Sequence, residues 1–220
     1  MIQFLLASQS PRRRELFGLL GYPFASMAAD ADEAAITTPD PAENVVDTAV
    51  LKATIIAAQL PHPDHRQIIL AADTTVALDD AMLNKPIDTT DAQRMLMAMR
   101  NRSHEVLTGY VLWDMLSGEK LTGVSTAVVT MRPYTDQEIN HYIASGDPMD
   151  KAGAYAIQHP EFQPVARLDG CYLNVMGLPV CGLILALEQF GVPMQADLTA
   201  VHQAHQNYPC PTFNQLTLEI

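Results

Sequence analysis

The chain has 220 residues, of which 48% are hydrophobic and 17% are charged. This composition is too apolar for a disordered chain, and polar residues interrupt it too often for a membrane protein. The 13 Lys and Arg against 25 Asp and Glu give a net charge of −12. Surfaces that bind nucleic acid carry a basic excess, so no nucleic-acid partner is expected, whereas a small anion held by a few placed cations fits the composition.

The apolar pattern predicts alternating strands and helices in the first half of the chain. Ser10 and Asp40 each precede a proline at the first helical position, which is typical of helix N-caps. The predicted elements are strand 2–7, helix 12–20, strand 24–28, a helix from Asp40 to about Leu60, and strand 68–78.

The second half continues the alternation. A capping box begins at Thr135, and the uncharged stretch 170–187 predicts a strand, a turn and a buried helix rather than a membrane span. The predicted elements are helix 91–99, strands 105–114 and 121–131, a helix from Thr135 to Ala144, and a final helix from Pro179 to Phe190. These elements predict an α/β fold with one mixed, curved sheet flanked by helices.

The cysteines are odd in number and lack CxxC spacing: Cys171, Cys181 and Cys210. This spacing argues against a disulfide scaffold and against a structural zinc site, and it favours a reducing, cytoplasmic environment. We expect no metal role for two histidine pairs in proline-flanked or tail segments, His62 with His65 and His202 with His205. The short apolar N-terminus has no basic residues before it, so no signal peptide is expected.

A segment with two hydroxyls and three arginines follows the first strand: Ser8, Ser10, Arg12, Arg13 and Arg14. The first-turn amides of a helix are unpaired donors at the positive end of its dipole, which suits phosphate. The same dipole disfavours cations unless an anion lies over the helix end. The pattern therefore fits a phosphate site or a solvated helix face, and spacing alone does not separate the two.

Several charged residues are weaker candidates. Asp73 and Thr74 follow the buried run 68–71, where a carboxylate is costly unless it is paired or bound to metal, although it also fits a turn cap. Lys52 lies on an apolar helix and fits a snorkelling side chain. Glu33 fits a solvated loop, and Lys85 fits an exposed turn.

Gln158 follows a segment of small residues around Gly153 that allows a ligand to approach the backbone closely. The side-chain amide of Gln158 fits either of two roles, hydrogen bonding to the edge of a nucleotide base or capping a loop. The chain contains neither GxxxxGK[ST] nor GxGxxG, so P-loop and Rossmann phosphate sites are not expected.

In this order the segments resemble the Maf family of nucleotide pyrophosphatases over about residues 3–190. The resemblance rests on SQSPRR at 8–13, DE at 32–33, Lys52, ADT at 72–74, KP at 85–86, RSHEV at 102–106, DKAGAY at 150–155, IQ at 157–158 and NVMGLP at 174–179. Residues 191–220 extend beyond the usual family end, and their role is not predicted.

The resemblance implies a sheet like that of inosine triphosphate pyrophosphatases, with two lobes around a cleft. It implies hydrolysis of the α–β phosphoanhydride of a nucleoside triphosphate to the monophosphate and pyrophosphate. It also implies a divalent cation, Mg²⁺ or alternatively Mn²⁺, and a homodimer.

The resemblance also assigns residues. Arg13, Lys52 and Lys85 would hold the triphosphate, and Ser8 and Ser10 would donate to its oxygens. Glu33 would help bind the metal. Asp73 would either activate water as its proton acceptor or bind the metal that positions it, and these two roles stay open.

Three positions place the chain in the Maf subgroup associated with dTTP and UTP: Arg12, Thr74 and Gln158. The subgroup associated with 7-methyl-GTP has Trp, Gln and Glu there. A Gln amide both donates to and accepts from a pyrimidine edge, as a carboxylate does not. Modified pyrimidine nucleotides are further candidate substrates.

The chain departs from the family at Asn84 and Asn101, which replace glycines, and at residues 159–165, which replace a Gly-rich stretch. Two other functions remain open. One is a septum-formation or division-arrest factor that acts mainly by binding, and the other is a purine triphosphate pyrophosphatase of the inosine type.

Overall fold

Seven strands form one sheet in the computed structural model, which describes the backbone of residues 2–218 and the side chains of residues 2–216. The strands are β1 (Gln3–Leu6), β2 (Phe24–Ser26), β3 (Gln67–Leu78), β4 (Ala81–Leu83), β5 (Ser103–Asp114), β6 (Lys120–Met131) and β7 (Val165–Asp169). The helices are α1 (Pro11–Gly18), α2 (Pro41–Ala57), α3 (Thr89–Met99), α4 (Asp136–Ala144), α5 (Tyr172–Val175), α6 (Val180–Gln189), α7 (Leu198–Ala204) and α8 (Pro211–Leu218).

The sheet is mixed, in the order β2-β1-β3-β5-β6-β7, with β4 beside β3. Strand β1 runs parallel to β2 and β3, and the remaining pairs are antiparallel. On the side of β3 away from β5, pairing with β1 ends at Leu70 and pairing with β4 begins at Val76. Residues 71–75 of β3 therefore border a gap between two strands.

Alternation along the strands decides what each face of the sheet packs against, because successive side chains point to opposite faces. Leu5, Ile69 and Ala71 pack against Ala49 and Ala53 of α2. The alternate strand residues, such as Leu6 and Leu70, point to the opposite face of the sheet. There they pack in the larger core, which α1 and α6 cover.

Gly109 of β5 lets α2 lie directly on the sheet. A Cβ atom at this position would lie 2.5 Å from the backbone carbon of Val45, a separation that real Cβ atoms do not show. Gly109 also pairs with Asp73 in the β3–β5 register, so α2 crosses the sheet at that level.

The predicted α/β class with a mixed sheet is confirmed, as are the long strands and the three predicted caps. The Ser10 hydroxyl accepts from Arg13 N, Asp40 accepts from two amides of α2, and the Thr135 capping box is complete.

Other predictions were wrong. Stretch 170–187 begins with the short helix α5 instead of a strand, and α6 is not the final helix. Strands β4 and β7 and helices α7 and α8 were not predicted. The two strands have only three and five residues, and no element was predicted beyond residue 190, where α7 and α8 lie.

The cysteines are free thiols, as expected, but they lie closer together than their spacing in the sequence indicates. The fold brings the three thiols and His205 together in the buried core, with their ligand atoms within 4.8 Å of one another. The cluster joins segments that are distant in the sequence, so the absence of CxxC spacing could not indicate whether the cysteines lie together.

Among residues 2–218, no helix is long and apolar enough to cross a bilayer.

Candidate active site

A cleft of about 770 Å³ lies along the gap beside β3. It is bordered by the loop after β1, the start of α1, the buried face of α2 and the loops before α3 and β7. All ten predicted site residues line it: Ser8, Ser10, Arg12, Arg13, Glu33, Lys52, Asp73, Thr74, Lys85 and Gln158.

Lys52 joins two carboxylates at the floor of the cleft. Its Nζ lies 2.6 Å from Asp73 Oδ1 and 2.8 Å from Glu33 Oε1, and its side chain is only 8% exposed. Lys52 follows Ala49 by three residues on α2, and Asp73 follows Ala71 by two on β3, so both share the packed faces. The snorkelling interpretation of Lys52 is therefore wrong.

Glu33 begins a short 3₁₀ helix, Glu33–Ala35, on the α2 side of the cleft. Desolvation opposes its ionisation. The hydrogen bond and charge of Lys52, assisted by the charges of Lys85 and Arg13, outweigh desolvation and hold the pKa of Glu33 below its ordinary value. Glu33 is therefore a carboxylate near neutral pH.

Arg13 is fixed on the opposite wall. Its Nε donates to Gly177 O at 2.9 Å, and one terminal nitrogen donates to Thr74 Oγ1 at 3.1 Å. Thr74 also shares a 2.9 Å hydrogen bond with Thr108. Burial lowers the pKa of Arg13 from its ordinary value, although the charges of Asp73 and Glu33 oppose this. A guanidinium remains charged at neutral pH all the same, so Arg13 is an oriented cation.

The two serines support the start of α1 besides facing the cleft. Ser8 Oγ accepts from Ser10 N at 3.2 Å, and Ser10 Oγ accepts from Arg13 N at 3.4 Å. Within the described chain neither hydroxyl proton has an acceptor, so both can donate to an anion. Of the three arginines, Arg12 and Arg13 line the cleft whereas Arg14 does not.

Sequence reasoning missed an acidic and basic pair at the rim. Asp150 lies 3.3 Å from a terminal nitrogen of Arg12, and its other oxygen lies 2.6 Å from Lys151 Nζ. Lys151 is buried and also bonds Asp147. The run DKAGAY at 150–155 is evident in the sequence, but nothing in the sequence indicates that Asp150 pairs with Arg12.

Lys85 is exposed at the mouth of the cleft, in a turn that Asn84 stabilises. Asn84 accepts through its side chain from Thr75 and through its carbonyl from Gly153 N. Its φ is not positive, so the turn does not need glycine. Asn101 has φ of 56°, which asparagine tolerates better than other side chains do.

Gln158 is half-buried, and within residues 2–218 its amide has no hydrogen-bond partner. None of residues 159–165 lines the cleft. Instead, Phe162 stacks on Tyr142 with ring centroids 4.4 Å apart, and its amide donates to His159. The unusual segment therefore packs against α4 and lies outside the lining of the cleft.

His104 positions Tyr155, another residue of the cleft wall. Its Nε2 lies 2.8 Å from the Tyr155 hydroxyl, and burial lowers the pKa of His104 to about 4. Burial also raises the pKa of Tyr155. Both groups are therefore neutral at physiological pH, and the hydrogen bond between them adds no charge to the wall of the cleft.

Residues 3–190 match the family described as Maf-like protein. The chain is 40% identical over 194 residues to a "dTTP/UTP pyrophosphatase" of Symbiobacterium thermophilum, covering 88% of this chain and 97% of that protein. It is 45% identical over 185 residues to a "dTTP/UTP pyrophosphatase" of Salinibacter ruber, covering 84% and 89%. A "dTTP/UTP pyrophosphatase" of Pelodictyon phaeoclathratiforme is 43% identical over 188 residues, covering 84% and 96%.

Proposed function

The chain belongs to the Maf-like protein family, and from that premise we propose that it is an enzyme that hydrolyses dTTP and UTP to the monophosphate and pyrophosphate. The observation that carries this proposal is the Lys52 contact with both Asp73 and Glu33 inside a cleft edged by further cations. The relatives' activity supports the choice of reaction.

The cleft offers a triphosphate three cations of different character. Arg13 is held rigidly from one wall, Lys52 lies at the floor, and Lys85 is exposed at the mouth. Guanidinium matches the geometry of phosphate oxygens, whereas lysine acts as a point charge. The hydroxyls of Ser8 and Ser10 add neutral donors at the start of α1.

The carboxylates fit a divalent cation of the Mg²⁺ type. Asp73 and Glu33 meet on one amine and present oxygen ligands to the cleft, and Mg²⁺ binds through one or two carboxylates together with substrate phosphates. When bound there, such a cation neutralises charge on the phosphates. Mn²⁺ suits the same oxygen ligands.

Asp73 is the residue that acts on water in this proposal. Its Oδ1 accepts from Lys52, which leaves Oδ2 to accept a proton from a water molecule in the cleft. The water oxygen bonds to the α-phosphorus, the bond from that phosphorus to the bridging oxygen breaks, and pyrophosphate leaves. Lys52 holds the carboxylate in orientation, and the cations stabilise charge on the leaving group.

Gln158 reads the base in this proposal, because its amide is the unengaged polar group among the three subgroup positions. Thr74 is bonded to Arg13 and Thr108, and Arg12 is paired with Asp150. These two residues therefore act on specificity by positioning the cleft wall, without contacting the base.

The proposal also takes the enzyme to be cytoplasmic and homodimeric. The dimer is tested by sedimentation of the purified chain at several concentrations. A single monomeric species throughout the micromolar range would remove this part of the proposal and leave the chemistry unaffected.

A substrate panel tests the function. Pyrophosphate release is measured with Mg²⁺ and dTTP, UTP, CTP, dATP, GTP, ITP, 7-methyl-GTP or 5-methyl-UTP. We expect the highest kcat/KM for dTTP and UTP. Preference for ITP would favour the inosine-type alternative. No turnover of any nucleotide, together with full cellular activity of Asp73→Asn, would favour the division factor that acts by binding.

A metal titration separates the two roles of Asp73. If it is the base, Asp73→Asn lowers kcat at saturating Mg²⁺ and leaves the Mg²⁺ dependence unchanged. If it is a ligand, higher Mg²⁺ concentrations restore much of the rate. We expect the first result.

A further inference from the structure

Four buried side chains outside the cleft form a cluster that the proposed reaction does not use. They are Cys171, Cys181, His205 and Cys210, and each is at most 5% exposed. Cys171 precedes α5, Cys181 lies in the first turn of α6, His205 follows α7 and Cys210 precedes α8. None of the four lines the cleft.

The geometry of the cluster matches a single tetrahedral ion. His205 Nε2 lies 3.5 Å from the sulfurs of both Cys171 and Cys181, and the Cys210 and Cys181 sulfurs are 4.0 Å apart. A zinc ion with Zn–S bonds of about 2.3 Å places tetrahedral sulfurs about 3.8 Å from one another. A disulfide would need sulfurs about 2.05 Å apart, so the Cys181–Cys210 separation does not describe one.

Neighbouring backbone groups orient the ligand atoms. His205 Nδ1 donates to Val201 O at 2.8 Å, and this bond turns Nε2 toward the sulfurs of Cys171 and Cys181. The amide of Phe213 donates to Cys210 Sγ at 3.4 Å. Metal-binding histidines commonly donate their second ring nitrogen in this way, and that bond fixes the tautomer.

We propose that Cys171, Cys181, His205 and Cys210 bind one structural zinc ion that fastens the C-terminal segment, residues 191–218, to the rest of the chain. Three thiolates and one imidazole form a closed Cys₃His set with no open position for a substrate. Soft sulfur ligands select zinc over magnesium, so this site and the oxygen-rich cleft hold different metals.

The position of the ligands in the chain supports a fastening role. Cys171 and Cys181 lie within the residues that match the family, whereas His205 and Cys210 lie beyond residue 190. The C-terminal segment has two short helices and contributes few buried apolar side chains: Val192, Val201, Phe213 and Leu216. Small elements with so little core commonly depend on a metal or a disulfide.

Metal analysis of the full-length wild-type chain is the first test. The protein is purified with a reducing agent, passed over a chelating resin to remove loosely held ions, and analysed by plasma mass spectrometry. We expect about one zinc per chain. Replacement of zinc by Co²⁺ should give a thiolate-to-cobalt charge-transfer band and the intense visible bands of a tetrahedral site.

Two variants and two controls locate the metal. Cys210→Ser and His205→Ala should each lose most of the zinc and the cobalt bands. His202→Ala, which replaces an exposed histidine of α7, should keep both. Asp73→Asn should also keep its zinc, because Asp73 lies in the separate cleft. Limited proteolysis should cleave the C-terminal segment faster in the two zinc-deficient variants than in the controls.

Three results would overturn the proposal. The first is wild-type protein with little zinc and no cobalt–thiolate band, a measurement that does not depend on any variant folding. The second is full zinc content in both Cys210→Ser and His205→Ala. The third is a Cys181–Cys210 disulfide in the reduced preparation, seen as a mass lower by two hydrogens.

Discussion

Lys52 connects the two carboxylates at the floor of the cleft, Asp73 and Glu33. It is the cation that contacts both of them, at 2.6 and 2.8 Å, and it is almost completely buried. The Lys52–Asp73 pair is largely buried, and removing one partner of a buried ion pair costs about 3–5 kcal/mol because the remaining charge is uncompensated. The chemistry of Asp73 and Glu33 therefore depends on a residue that does not itself exchange a proton with the substrate.

Lys52→Met should lower kcat/KM for dTTP at least about 100-fold, because the triphosphate loses a cation and Asp73 loses its orienting partner. The measurement is steady-state pyrophosphate release by protein whose fold is verified by circular dichroism. Lys120→Met is the matched control, since Lys120 lies over Trp113 on the surface. Equal losses in both variants would contradict the role of Lys52.

The pH dependence should move with the same substitution. The pKa of Glu33 is lower in the folded chain than in the unfolded chain. The ion pair of Glu33 therefore stabilises the protein at pH values above the unfolded pKa, and this stabilisation is lost as the pH falls through the folded pKa. In Lys52→Met, desolvation acts without the closest cation, so the acid limb of the kcat/KM profile should shift to higher pH. An unshifted limb would show that Glu33 does not govern it.

Gln158→Glu should lower kcat/KM for dTTP and UTP about 100-fold, because a carboxylate cannot donate to the pyrimidine edge. Rates with CTP and purine nucleotides should change less, so the measurement is the ratio of kcat/KM values across the panel. Gln137→Glu, on the exposed surface of α4, provides the control. A uniform fall for all nucleotides would assign Gln158 to phosphate binding instead.

Helix α2 connects the packing of the sheet to the site. Gly109 allows the helix backbone to lie on β5, and Lys52 projects from the same helix toward Asp73. A small displacement of α2 therefore moves the amine away from the carboxylates. Gly109 does not line the cleft, so it affects the site only through the position of α2.

Gly109→Ala should destabilise the protein by about 1–3 kcal/mol, because the added methyl meets the backbone of α2. Activity should fall as well, because Lys52 moves with the helix. Denaturant unfolding and kcat/KM are measured together. Gly18→Ala is the control, as its Cβ would meet nothing within 4 Å. An unchanged unfolding midpoint in Gly109→Ala would contradict the packing argument.

The sequence was most informative where local chemistry acts alone. Caps at Ser10, Asp40 and Thr135 depend on neighbouring residues, and each forms as predicted. The meeting of Lys52 with Asp73 and of Cys171 with Cys210 depends on long-range pairing, which periodicity does not encode. The position of Lys52 in the sequence nevertheless indicated burial, because it lies between Ala49 and Ala53 on the apolar face of the predicted helix.

At the scale of the whole molecule, the C-terminal segment closes the core without reaching the cleft. Tyr208 stacks on Tyr172 with ring centroids 5.2 Å apart, and Tyr22 donates to Pro193 O at 2.6 Å. None of residues 191–218 lines the cleft. Stability and catalysis are therefore expected to respond differently to loss of this segment.

Truncation after residue 190 should lower the melting temperature and increase dye binding to exposed apolar surface, because the aromatic contacts and buried side chains of the segment are lost. The fraction that remains folded should keep its kcat/KM, since the cleft is intact. Full stability of the truncated chain would contradict the packing role of the segment.

The identity of the products formed from dTTP tests the central claim most directly. Chromatography of the reaction with Mg²⁺ should show dTMP and pyrophosphate in equal amounts, and Asp73→Asn should slow their formation by about 1,000-fold or more. Formation of dTDP and phosphate, or an unchanged rate for Asp73→Asn, would contradict the account.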